Sequence, residues 1–551
     1  VLDDAKTSRR EFLKQAALTG ALLSAAGYGV TAEDPGGAGD THSGAGQRAT
    51  KGDNSMLGIA LNEDDSHYFM TRANEKLDAE KVESWVDQYA DTQVKELMLC
   101  PNAMRASYGS KVWDPIWRGF DPKLGPDQPL FASLPENARQ VPYNWARTAW
   151  QLDHDGIDVY AHWIARSRRR GISPWLSMRM NDIHEVNDEK SYIHSEFWRS
   201  RPDLRRVQYR FVEWQDRAFD YGKAEVREHH MKLIRELAAR YDFDGLELDW
   251  MRFGFHFRPG HEAEGARLLT EFTADVRRLL DDWQQKRGHN ILLGARVPSR
   301  PQTAVGLGMD AITWARRGLV NMLVATPFWA TAETDMPIEM WTSLLQGTDV
   351  TLAAGLEVLI RPYPGHEAYP NSLETVRGAA TALLDRGADR IYLFNYMDSD
   401  TAMGDLQNYG TMLREIGDLK TLAGKPRRHV LTYADTWAPG EPRAVPLPAR
   451  CGGGGWAAFR IPTGPRPDSG KVTAILGVQG DANVDDRDME VRVNGEVCAP
   501  TGPADVAKPS PPFPLYGFEV PLSGMNRGYN LIEASPKRDV TFGWVEFSVT
   551  P

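Results

Sequence analysis

Glu247 and Asp249 lie two residues apart in the run Asp244-Gly245-Leu246-Glu247-Leu248-Asp249-Trp250-Met251-Arg252. Side chains alternate along an extended strand, so both carboxylates share one face while Leu246, Leu248 and Trp250 take the other. Acids are rarely placed in a core strand without a use. A third acid, Glu357, closes another apolar run. Two opposed carboxylates are what glycosidic cleavage requires: one protonates the leaving oxygen, and the other attacks or activates water. We assign Glu357 as nucleophile and Asp249 as acid/base, with Glu247 a layer deeper tuning Asp249 by like-charge repulsion. The exchanged assignment, with Asp249 attacking, fits nearly as well.

These acids need a scaffold that brings distant strand ends together. Short apolar runs at 57–61, 96–100, 174–180, 245–250, 291–297, 322–327, 352–357 and 390–396 alternate with amphipathic segments at 79–90, 159–170, 223–240, 263–287, 309–317, 337–346 and 373–386. Strands separated by helices in this way predict an α/β fold, a (β/α)8 TIM barrel over 56–425. A doubly wound sheet is the rival, but no Gly-rich phosphate turn follows the first strand. Alternation places Asn62, Cys100 with Asn102, Arg179 with Asn181, Glu247 with Asp249, Arg296, Thr326 or Phe328, Glu357 and Asn395 at the inward strand ends. Arg296 and Arg179 suit a role in holding one carboxylate ionised, or a structural ion pair with Glu247. Long insertions at 102–158 and 181–221, rich in Trp, Tyr and Arg, would wall the mouth.

Further substrate contacts are expected from His67 after the first strand and from Trp329, Tyr396 and Asp398, with Asp400 as a reserve acid. Trp250 and Tyr396 alternate with the inward set and also suit packing against helices. Arg252, Arg258 and Arg361 suit uronic or sulfated sugars through bidentate contacts. Asp182, His184, Glu185 and His194 match no metal-ligand spacing and read as solvated loop residues, so no metal or cofactor is expected.

Phe243-Asp244-Gly245-Leu246-Glu247-Leu248-Asp249-Trp250 resembles the fourth-strand motif of family 18 chitinases, Phe-Asp-Gly-x-Asp-x-Asp-Trp-Glu, with Met251 where that family carries its acid. Residues 244–252 also resemble the fourth strand of exported glycosyl-hydrolase-like barrels related to family 10. That resemblance covers about residues 56–422 and implies a glycosidase-type barrel acting on a polysaccharide or oligosaccharide. Two other readings are kept beside it. One is a glycan-binding barrel without catalysis; the other is a lyase on acidic polysaccharide, using a Tyr or His base beside an Arg.

The net charge of −11 argues against a nucleic-acid partner, which would need a basic face. Seventeen Trp and eighteen Tyr suit sugar stacking as well as core filling. Ser8-Arg9-Arg10-Glu11-Phe12-Leu13-Lys14 followed by an Ala-rich run reads as a twin-arginine signal over 1–32. It predicts a periplasmic or extracellular protein with no membrane association after cleavage. Residues 33–55 read as a linker.

From 426 to 551 helical periodicity gives way to short alternating runs at 430–433, 456–461, 472–478, 489–493, 516–520, 529–534 and 540–549, with a hairpin signal at Asn494-Gly495. This predicts a β-sandwich, for carbohydrate binding or as a cap on the barrel. Cys451 and Cys498 share it and could form a bridge, while Cys100 stays single in the barrel.

Overall fold

The computed structural model describes residues 57–399, 401–480 and 486–551; the segments expected to be a twin-arginine signal and a linker, and Asp400, lie outside the described residues. Eight parallel strands form a closed barrel: β1 (Ile59–Glu63), β2 (Val94–Leu99), β3 (Ser173–Arg179), β4 (Gly245–Asp249), β5 (Leu292–Pro298), β6 (Met322–Thr326), β7 (Thr351–Glu357) and β8 (Arg390–Phe394). Each pairs with its sequence neighbours, and β8 closes on β1. The expected runs and the observed strands coincide to within a few residues because each buried strand is a short apolar segment bounded by polar turns.

The covering helices follow the expected pattern. Helix Ala224–Arg240 buries Val226, His230, Leu233, Ile234 and Leu237, the spacing of a single helical face. Helix Glu262–Arg287 ends at Gly288, whose φ of +77° lets its N–H reach the Gln284 carbonyl. The expected helix at 79–90 is α-helical only over Ala79–Ser84 and tightens to a 3-10 turn over Trp85–Tyr89.

Inside the barrel, Ala60, Met98, Trp175, Met322, Val324, Ala353, Tyr392 and Phe394 pack together. Trp175 fills the lower interior because its neighbours are glycines. A Cβ on Gly245 would stand 2.2 Å from the indole, and one on Gly294 3.0 Å. The large side chain at the bottom leaves polar groups to the upper layers. Register aligns Arg179 with Asp249, and Asp249 with Arg296, in one layer; Ser177 and Glu247 align in the layer beneath.

The C-terminal part is a two-sheet sandwich. One sheet contains β9 (Arg427–Val430), β10 (Ala449–Cys451), β12 (Lys471–Val478), β15 (Ala499–Pro503), β16 (Leu515–Glu519) and β18 (Val540–Thr550). The other runs β11 (Ala457–Gly464), β17 (Gly528–Pro536), β13 (Met489–Val493), β14 (Glu496–Val497). Asn494 and Gly495, at φ +51° and +86°, turn β13 into β14. Cys451 and Cys498 are free thiols, a correction to the expected bridge: Cys451 ends β10, whereas Cys498 lies between β14 and β15. No helix among the described residues is long and apolar enough to cross a membrane.

Candidate active site

The upper layers of the barrel hold a charged cluster. Glu247 and Asp249 point inward, while Trp250 packs outward against Tyr221, His256 and Phe272. Glu247 is fully buried, and its Oε1 accepts hydrogen bonds from Ser177 Oγ at 2.6 Å and Tyr392 Oη at 2.8 Å. Its Oε2 is buried with no hydrogen-bond partner. Burial, reinforced by the neighbouring Asp249 charge, pushes this carboxyl up to about 7.

Asp249 is differently placed. Oδ1 accepts the N–H groups of Met251 and Arg252 at 3.0 and 2.9 Å, fixing the turn after β4. Oδ2 accepts Arg296 Nη1 at 2.7 Å. Arg296 is wholly buried, its guanidinium carbon lies 3.9 Å from the centre of the Phe394 ring, and its Nε and Nη2 have no hydrogen-bond partner.

Glu357 closes β7, 2% exposed. Its Oε1 accepts Asn395 Nδ2 and the Val358 N–H, each at 3.0 Å. Burial raises this carboxyl to about 7 despite those bonds and the cationic fields of Arg252 and Arg296. Arg296 thus pairs with Asp249 and also acts electrostatically on Glu357, which joins the two acids through one guanidinium. Asn395 reaches Glu357 by a different route from strand alternation. Tyr392 and Phe394 take the inward positions of β8, and Asn395 turns back through a φ of +63°.

Beside this cluster, Arg179 pairs with Asp64 at 2.5 Å, Asp65 at 2.9 Å and Asp182 at 3.1 Å. Although burial opposes its charge, His184 and Arg179 hold Asp182 well below the usual carboxylate range. Arg252 Nη2 donates to His184 Nε2 at 2.8 Å, and His184 Nδ1 faces Asp182 at 2.8 Å, linking this box to the acids. Asp182 and His194 are therefore buried rather than solvated, whereas Glu185 is exposed. Asp64 and Asp65 were absent from the sequence-derived site. The acidic run 63–65 directly after β1 was the available signal.

Several other expected contacts stand elsewhere. His67 and Asp398 form a buried cluster with Glu63 and Arg72. Glu63 follows Ile59 and Leu61 on the helix-facing side of β1, so this cluster ties the β8 loop to β1 behind the barrel wall. Glu63 and Asp398 raise His67 to about 9 against the effect of burial. Tyr396 is fully buried, with its hydroxyl donating to the Glu357 carbonyl at 3.1 Å, and so offers no face to a sugar. Asn181 commits its amide to the Phe219 and Phe255 carbonyls and the Phe219 N–H. Asn102 braces the β2 loop to the Arg179 carbonyl at 3.0 Å. Asn62 lines the interior at 3% exposure. Arg258 is exposed beside His261, and Arg361 is 9% exposed.

Aromatic side chains rim the mouth. Phe253 packs against His184, Trp214 and Phe328, and Arg252 lies over both Phe253 and Phe394 at 5.5 Å. Trp214 and Trp329 are only partly buried in this group. Among the described residues no cluster of His, Cys, Asp and Glu could hold a metal ion.

No family model and no curated protein matches the chain. Solved structures that align with it include alpha-L-fucosidase isoenzyme 2 from Paenibacillus thiaminolyticus, at 12% identity and TM-score 0.39 over 66% of this chain and 49% of that one. The PgaB (BpsB) glycoside hydrolase domain from Bordetella bronchiseptica aligns at 12% identity and TM-score 0.39, over 66% of this chain and 99% of that one. The Thermotoga maritima alpha-fucosidase in complex with fucose aligns at 12% and 0.32, over 85% and 81%. This chain spans about half the length of the first. These neighbours are glycoside hydrolases, but likeness at this level carries no argument about activity.

Proposed function

We propose that the protein is a glycoside hydrolase whose reaction centre is Glu357 and Asp249, with Glu357 as proton donor and Asp249 as the carboxylate that attacks or activates water. The observation that carries this reading is the contrast between the two acids. Glu357 is buried with only neutral hydrogen-bond donors and keeps its proton up to about pH 7. Asp249 is hydrogen-bonded to a guanidinium and two backbone N–H groups. Environments that set two carboxyls apart in this way separate acid from nucleophile or base. This favours the exchanged assignment over Glu357 as nucleophile. Glu247, one layer below and held by Ser177 and Tyr392, supports Asp249 without reaching the sugar.

The acids are only 1% and 2% exposed. That same burial favours a second reading, a glycan-binding barrel without turnover. A lyase mechanism fits less well: Tyr392, the tyrosine beside Arg296, donates to Glu247, and burial pushes its hydroxyl well above the usual phenol range. The substrate class is a polysaccharide or oligosaccharide, with Arg252 near enough to the acids to favour anionic sugars. Export by the twin-arginine route, on the motif Ser8 to Lys14, belongs to the same proposal.

Hydrolysis of a glycan panel by the unaltered protein and by Glu357→Gln and Asp249→Asn tests it. Turnover by the unaltered protein, lost in both variants, supports hydrolysis. Binding with no turnover by any of the three selects the non-catalytic reading.

A further inference from the structure

The segment joining barrel to sandwich does not run directly from one to the other. After β9 it returns along the β5 and β6 loops. Thr432 Oγ1 donates to the Ala332 carbonyl at 2.7 Å, Thr334 Oγ1 donates to the Val430 carbonyl at 2.9 Å, and Thr303 Oγ1 donates to Glu441 at 2.7 Å. At the centre of this seam is Asp435. Its Oδ1 accepts the Phe328 N–H at 2.8 Å, and its Oδ2 accepts the Trp329 and Ala330 N–H groups at 2.9 and 2.8 Å. One carboxylate therefore gathers three successive backbone donors of a loop that has no helix or sheet to hold it, as an anion is held in a backbone nest.

That loop carries the rim. Phe328 stacks on Trp214 at 5.9 Å and meets Phe253 at 5.4 Å, and Trp329 stands edge-on to Phe328 at 6.1 Å. Phe253 leads through Arg252 to the acids. We infer that Asp435, supplied by the segment leading into the sandwich, is a positioning residue for the substrate cleft: it fixes the half-buried Trp329, backed by the buried Phe328, as the platform on which a sugar ring stacks. This rests on the carbohydrate reading above. It gives the C-terminal region a part in substrate recognition that needs no sugar site of its own.

The test uses the full chain in the Glu357→Gln background, with cellopentaose and chitopentaose as probes and calorimetry as the readout. Asp435→Asn keeps the size of the side chain and removes the charge and one acceptor oxygen. The expected result is about tenfold weaker pentasaccharide binding, faster amide exchange at 328–330 and an unchanged melting temperature. Thr432→Val, which cuts the seam elsewhere, should leave affinity unaltered. A melting temperature that falls while affinity holds would make Asp435 a purely structural tie and overturn the inference, as would unchanged exchange at 328–330. Binding of neither probe overturns it together with the carbohydrate reading. A protein that binds pentasaccharides without hydrolysing them removes the proposed hydrolysis and leaves this inference standing. A protein that hydrolyses them with Asp435→Asn affinity intact does the reverse.

Discussion

Two buried arginine–carboxylate pairs in this molecule are built differently. In the sandwich, Arg428 meets Glu546 with two bonds, of 2.6 and 2.8 Å, and its remaining donors reach the Ala507 and Pro509 carbonyls, each at 2.8 Å. Glu546 also accepts from Trp544 Nε1 at 3.0 Å. In the barrel, Arg296 meets Asp249 through one bond, and its Nε and Nη2 have no hydrogen-bond partner. A satisfied pair locks a structure. An unsatisfied buried donor bears the cost of desolvation without return, a cost natural proteins retain mainly where function requires it. The difference separates the structural pair from the proposed reaction centre more sharply than burial does, since both pairs are buried.

Four measurements sharpen or break that contrast. Glu357→Gln should cut turnover by about 10²–10⁴-fold, the range for a lost general acid, with little change in stability at pH 5, where both side chains are neutral in the folded protein. Steady-state kinetics alongside thermal melting will show whether the two separate. Glu546→Gln, by contrast, should destabilise the fold by about 3–5 kcal/mol, because it leaves Arg428 buried and uncompensated; urea denaturation reads this, and sugar affinity should not move. Third comes pH. Glu357 rises from 4.5 to about 7 on folding, so between those values the native state holds more protons than the unfolded chain. Its contribution is complete below pH 4.5 and is lost as pH rises through about 7, roughly 3 kcal/mol over the window. Unfolding curves at pH 5 and pH 8 should show a smaller difference in Glu357→Gln than in the unaltered protein; equal differences would remove the assigned proton. The smallest effect belongs to Tyr396→Phe, which deletes the hydroxyl on the Glu357 carbonyl and should cost about 1 kcal/mol of stability. Weaker sugar binding in that variant would return Tyr396 to the substrate site.

The barrel strands were legible because each is a short apolar run whose alternation follows from backbone geometry, and β4 displayed its acids openly. Asn395 reaches the place expected of it by another route: β8 turns Tyr392 and Phe394 inward, and the left-handed backbone at Asn395 redirects its side chain toward Glu357. His67 and Asp398 were expected near substrate from their place in the loops after β1 and β8, but position in a loop does not say which side of the barrel wall that loop descends. Asp64, Asp65 and Asp435 left only faint traces. Their partners, Arg179 and the 328–330 loop, are distant in the chain.

The sequence by itself determined the alternation of strands and helices, the acids at the ends of β4 and β7, and the change to short strands after about residue 426. These are local properties, dictated by periodicity and turn chemistry. Only the tertiary structure decided which acids burial pushes toward neutrality, which guanidinium pairs with Asp249, and that the segment beyond the barrel returns to brace its rim. Desolvation and charge pairing depend on neighbours that sequence spacing does not specify.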